Sequence, residues 1–242
     1  MFPWGRSRMS ARPGASKLTG MKLLALGAAA VAVAALGVAP GTASADELPT
    51  FDFSDCPAPP SNADPGTWRC EAFVSQGKLT IGGREIPLGE MRLTFSEGRV
   101  NGQYAQEFGA LRHAPARVPG LAGATLQLRY GGYSDFHSDD VRRGELDVYA
   151  VVRHPLLRKD CSIGTAAKPL HTVVHDDPAV PPRIISENPR TAFSGTVDPD
   201  LALPATTGCG ALGRLVDRQL GLPSPAGENA FHQASYVQYK PL

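Results

Sequence analysis

Four cysteines, Cys56, Cys70, Cys161 and Cys209, constrain this chain more than any other feature, because all stand downstream of a segment that reads as an export signal. An even number of cysteines in an exported chain reads as disulfides, and four cysteines allow three connectivities. Neighbours in sequence meet more often than distant residues, which favours Cys56–Cys70 and Cys161–Cys209. The first bridge would close a short loop holding Pro57, Pro59, Pro60 and Pro65, the second a long one. Chain-entropy arithmetic gives roughly 3 to 4 kcal/mol for each. Zinc is the competing use of thiols, but no Cys-x-x-Cys and no Cys/His pairing at ligand spacing occurs, so neither a metal nor another cofactor is expected.

Residues 1–45 carry the export argument. Arg6, Arg8, Arg12, Lys17 and Lys22 form a basic head, with no acidic residue before Asp46. Leu23 to Val38 is an apolar run, Pro40 and Gly41 break it, and Ala43-Ser44-Ala45 offers the small residues a signal peptidase accepts. Cleavage is expected after Ala45, and Met21 to Ala45 is already a complete signal. The run is shorter than the ~20 apolar residues a spanning helix needs, so no membrane span is expected after cleavage. No Arg-Arg pair precedes it and no Cys stands at the cleavage site, which favours general secretion over twin-arginine export or a lipid anchor. The expected location is extracellular.

Removing the signal changes the charge. The chain has 24 basic and 23 acidic residues; the first 45 residues hold 5 basic and no acidic ones, leaving 19 against 23, or −4, for residues 46–242. A mildly acidic product has no basic footprint for nucleic acid or an anionic membrane surface, and both are excluded as partners.

Residues 46–69 read as a Pro-rich arm pinned by the first disulfide, and residues 70–242 as a single β-rich domain. Phe73 to Ile81 and Glu85 to Phe95 flank Gly82-Gly83, a hairpin turn. Met91, Leu93 and Phe95 alternate with Arg92 and Thr94, giving one buried and one wet face. Glu97-Gly98 is expected to turn into a strand over Val100 to Ala110. Leu126 to Tyr130, running up to Gly131-Gly132, and Leu146 to Val152 alternate in the same way. Leu170 to His175, Arg183 to Ser186, Ala192 to Val197 and Ala230 to Tyr239 follow as further strands. Only Ala211 to Leu220 has helical spacing, with apolar residues at 212, 215, 216 and 220 and the stop signals Gly221 and Pro223. The absence of helices between strands excludes a parallel α/β sheet. With 26 glycines and 22 prolines favouring many turns, the expected fold is mainly β: an antiparallel β-sandwich or partly closed barrel with one short helix near the C-terminus.

Several motifs invite a chemical reading, and each has a plainer one. Leu203-Pro204-Ala205-Thr206-Thr207-Gly208 is one residue from a wall-sorting pentapeptide, but an amphipathic helix and a strand follow it in place of an apolar, basic-ended tail. Ser75-Gln76-Gly77-Lys78 matches a Ser-x-x-Lys nucleophile motif, which needs a helical turn; in a strand the two side chains face opposite ways. His171 and His175 have metal spacing on a helix, but the intervening Thr172, Val173 and Val174 favour a strand, where i and i+4 lie about 13 Å apart. Asp135 to Asp140 offers oxygen ligands without an EF-hand pattern. Tyr130, Tyr133, Phe136, Tyr149, Tyr236 and Tyr239 offer either core packing or a stacking surface for a sugar.

The stretch IISENPRTAFSGTVDPDLALPATTGCG from Ile184, continued by LGLPSPAGENAF to Phe231, resembles uncharacterised secreted proteins of high-GC Gram-positive (actinobacterial) bacteria. The resemblance covers the C-terminal quarter and implies a source and no mechanism. No catalytic residue is nominated, and a non-enzyme is preferred. The expected function is a disulfide-stabilised β-domain binding an unidentified ligand or envelope component. The alternatives are an extracellular hydrolase whose site is assembled from distant strands, and a protease inhibitor presenting the Cys56–Cys70 loop. The sequence carries no determinant of oligomeric state.

Overall fold

The computed structural model describes residues 48–242, so the signal expected over residues 1–45 lies outside the described residues. Twelve strands follow: β1 (Arg69–Ile81), β2 (Arg84–Val100), β3 (Gln103–His113), β4 (Ala116–Arg117), β5 (Thr125–Asp135), β6 (Gly144–Arg153), β7 (Ser162–Ile163), β8 (Leu170–Asp176), β9 (Arg183–Glu187), β10 (Arg190–Asp198), β11 (Thr206–Thr207) and β12 (Ala230–Pro241). A 3-10 turn, Gly210–Leu212, leads into α1 (Gly213–Leu220). The chain is mainly β with one short helix, and a single curled antiparallel sheet forms a half-barrel. The partly closed barrel is therefore the correct member of the expected pair, and a two-sheet sandwich is not formed.

The order across the sheet is β11-β7-β6-β8-β10-β12-β1-β2-β3, with β5 on the other edge of β6 and β9 alongside β10. Gly82 and Gly83, both at positive φ, make the β1–β2 turn where the sequence placed it. The turn expected at Glu97-Gly98 is not there: β2 runs straight through to Val100 and turns at Asn101-Gly102, φ 52° and 77°. Asn-Gly accepts two left-handed residues in succession, so it holds the hairpin, whereas Gly98 serves packing. Gly131-Gly132 does not end β5 either; the register slips between Tyr130 and Ser134, a bulge that bends the strand.

The curl returns β3 toward β5, but no backbone ladder joins them. Side chains bridge the seam instead. Gln106 Nε2 donates to Ser134 O (2.6 Å) and Gln106 Oε1 accepts from Phe136 N (2.7 Å). His113 Nδ1 accepts from Leu128 N (3.1 Å) while its Nε2 bonds Leu88 O (2.8 Å). Burial holds the His113 ring below the usual imidazole range, in keeping with a neutral ring that accepts at Nδ1.

One half of the barrel is filled. Leu79, Ile81, Ile86, Leu88 and Met91 meet Leu126, Leu128, Val148, Ala150 and Val152 around Phe231. Val216 and Leu220 of α1, with Leu201 and Leu203, complete this core. Each fully buried side chain of this size contributes about 1.5–3 kcal/mol. Leu215, expected on the apolar face of the helix, is 49% exposed: an eight-residue helix buries one i, i+4 stripe, here Val216 and Leu220. Gly221 caps it in the left-handed conformation (φ 74°). Cys161–Cys209 (Cα–Cα 4.1 Å) staples the start of β7 to the entry of the helical turn, and Cys56–Cys70 (Cα–Cα 5.8 Å) ties residues 48–68 to β1.

Residues 48–68 cross the outer face of β1–β3. Arg112 grips Asp55 with two guanidinium nitrogens, Arg92 Nη1 donates to Thr50 O (2.9 Å), and Trp68 lies against Gly98.

Candidate functional site

The other half of the barrel is open. Strand alternation points Glu71, Phe73 and Ser75 of β1 to the concave side, with Leu93 and Phe95 of β2 and Gln233, Ser235 and Val237 of β12. Ala192, Ser194 and Thr196 of β10 and Thr172, Val174 and Asp176 of β8 face them. Large side chains fill the closed half, but here β10 and β12 contribute mostly small or hydroxylated ones, and they leave a cavity of about 290 Å³. This is close to the lower bound of ordinary ligand cavities.

One wall is aromatic. Phe73 and Phe95 lie 5.8 Å apart between ring centroids, and Phe95 and Phe136 4.3 Å. Hydroxyls also line the concave face: Ser75, on the same strand as Phe73, shares a hydrogen bond of 2.7 Å with Ser235, and Thr172 Oγ1 donates to Leu146 O (2.6 Å).

Two charged clusters stand at the rim. On one side Arg69 Nη2 reaches Glu71 Oε1 (2.8 Å) and Glu97 Oε1 (2.6 Å), while the Tyr104 hydroxyl donates to Glu97 Oε2 (3.0 Å). Burial, and then the charge of Glu97, push the Glu71 carboxyl up to about 7 against the pull of Arg69. On the other side Arg143 holds Asp176 through Nε (2.8 Å) and Nη2 (2.6 Å) and donates Nη1 to Asp139 O (3.0 Å). The hydrogen bond from Arg143 keeps the Asp176 carboxyl below its usual range.

The residues singled out from sequence are dispersed. Ser75 faces the cavity, while Lys78 pairs with Glu85 (2.6 Å), so they form no nucleophile–base couple. His171 Nδ1 bonds Asp147 (2.8 Å) with Glu145 3.6 Å from Nε2, whereas His175 Nδ1 bonds Val141 O (2.7 Å); the two rings serve different partners. Among the described residues no group of three or more His, Cys, Asp or Glu is placed to hold a metal ion. In the Asp135–Asp140 loop, Arg142 sits among Asp135, Asp139 and Glu145, a guanidinium where a cation would go.

Leu203 is buried and bridges to Ser224, and Thr206 N donates to Asp217 (2.8 Å), so the sorting-like stretch is part of the fold. The aromatics share no single surface: Tyr130 stacks on Phe108 (3.6 Å) at the seam, Phe136 lines the cavity, Tyr236 meets Phe193, and Tyr239 lies under Arg69.

Sequence reasoning missed Glu71, Phe73, Ser194 and Ser235 as one site. The available signal was Glu71, a lone carboxylate in phase with Phe73 and Ser75 at the head of a buried strand. No protein-family model matches the chain, and no curated protein matches it significantly.

Proposed function

We propose that this chain is an exported binding domain that holds a small, mostly apolar molecule in the open half of its half-barrel. The observation that carries the reading is the contrast between the two halves of one sheet. The same strands that are tightly filled around Phe231 leave about 290 Å³ beside three phenyl rings. Unfilled apolar volume sacrifices dispersion contacts, so an occupant is favoured there. The two disulfides fit an oxidising location, and among the described residues no helix is long and apolar enough to cross a membrane. The export signal supports secretion by the general route, and the C-terminal resemblance supports an actinobacterial source. A mature product beginning at Asp46, with no free thiol by mass spectrometry, is the expected form in culture supernatant.

The binding test is a fluorescence titration with the neutral probe N-phenyl-1-naphthylamine. Saturable one-to-one binding is expected, weakened at least tenfold by the cavity-filling change Ser194→Leu and unaffected by Lys78→Gln on the outer surface. Absence of saturable binding, or equal affinity in Ser194→Leu, would overturn the reading.

One observation favours a hydrolase as second reading: Glu71 and Glu97 form a carboxyl pair with Glu71 raised, the arrangement that acid–base chemistry uses. Arg69 engages both carboxyls, which weighs against proton transfer to a substrate. Turnover of an esterase, peptidase or glycosidase substrate that disappears in Glu71→Gln would establish this reading in place of the first.

A further inference from the structure

We infer that the cavity selects a singly charged cationic amphiphile, an alkylammonium whose nitrogen rests against Glu71 and whose hydrocarbon lies along Phe73, Phe95 and Phe136. The inference rests on the cavity being a binding site and assigns the chemistry of its occupant. Three charged side chains line the cavity among the described residues: Glu71, Arg143 and Asp176. Arg143 is already spent, with two nitrogens on Asp176 and the third on a backbone carbonyl. Its charge is matched by that of Asp176, so it offers no uncompensated positive charge to an incoming carboxylate or phosphate.

Around Glu71 the balance differs. The groups facing it are Arg69 on its own strand, Glu97 on β2 and Tyr239, its partner across the β12 ladder and stacked under Arg69, with Tyr104 of β3 bonded to Glu97 and His137 packed on Tyr104. One guanidinium shared between two carboxylates leaves one negative charge uncompensated when both are ionised. An anionic ligand would meet that charge in a poorly solvated place, and a neutral one would gain nothing from it. A cation gains an ion pair with Glu71, and the phenyl faces add a weaker attraction.

Binding a permanent cation favours the ionised carboxyl, so affinity should fall as pH drops through the range in which Glu71 takes up its proton. The experiment is calorimetric titration of the full secreted chain with octyltrimethylammonium, octanol and octanoate at pH 8.5 and 5.5. At pH 8.5 the ammonium should bind at least tenfold more tightly than octanol, with octanoate weakest. At pH 5.5 the advantage over octanol should shrink several-fold. Glu71→Gln should bring the ammonium down to the level of octanol while octanol affinity, which also reports a folded cavity, holds. Glu97→Gln should do the same, because it leaves Arg69 and Glu71 as a neutral pair. Octanol or octanoate binding as tightly as the ammonium would overturn the charge selectivity and leave the binding function standing. Failure of all three probes would remove both.

Discussion

Gly98 sits inside β2 with no turn to make, and the reason is a neighbour distant in sequence. A Cβ built there would lie 2.5 Å from Cγ of Trp68, whose indole Nε1 donates to Arg99 O at 3.0 Å. Gly98→Ala must displace a buried tryptophan that locks residues 48–68 onto the sheet. Overpacking of this kind costs about 1–3 kcal/mol, to be read from urea denaturation midpoints. Glu71 gives a residue-scale prediction of another kind. Its carboxyl titrates near 7 when folded and near the ordinary 4.5 when unfolded, so the folded chain binds this proton more tightly. Its contribution to stability is therefore fully present below about 4.5 and is lost as pH rises through about 7. The loss is on the order of 3 kcal/mol. Glu71→Gln should flatten stability across that window; an unchanged slope between pH 4.5 and 8 would remove Glu71 as its source.

At the scale of elements, the weak line of the barrel is the β3–β5 seam. Elsewhere neighbouring strands share backbone ladders, but here Gln106, His113 and Gln127 substitute side-chain bonds. Gln106 alone bonds Ser134 O and Phe136 N, next to the phenyl ring that closes the cavity. Gln106→Ala should cost about 1–2 kcal/mol and loosen Phe136. Amide exchange should accelerate around Ser134 to Phe136 while the β1–β12 ladder stays protected. Uniform acceleration across the sheet would show that the seam is not an independent weak point.

At the scale of the whole molecule, two disulfides hold two different things. Cys56–Cys70 closes 14 residues of sequence and fastens an outer strap; Cys161–Cys209 closes 48 and is buried in the main core. Loop-closure entropy gives about 3 kcal/mol for the first and about 4 for the second. The double variant Cys161→Ala/Cys209→Ala should thus lower the thermal midpoint more than Cys56→Ala/Cys70→Ala. The reverse order would mean that the strap stabilises the barrel more than the core staple does.

Much of this was legible in the residues themselves. Period-two alternation along Met91 to Phe95 and Leu146 to Val152, the glycine pair after Ile81 and the 212–220 helical spacing are local signals. They determine strand faces, one hairpin and the helix because a side chain's direction follows from its position along its own element. Cysteine spacing pointed to the pairing for a separate reason: chain segments closer in sequence lose less entropy when they meet. Local pattern does not contain which strands become neighbours. That Glu97-Gly98 stays extended depends on Trp68 lying across it, and that Ala192, Ser194 and Ser235 leave a space depends on which large residues stand opposite. The raised carboxyl of Glu71 needs Glu97, a strand away, and removal from water. Volume and electric field are properties of assembled neighbours, so only the tertiary structure decided where the cavity lies and which charge faces it.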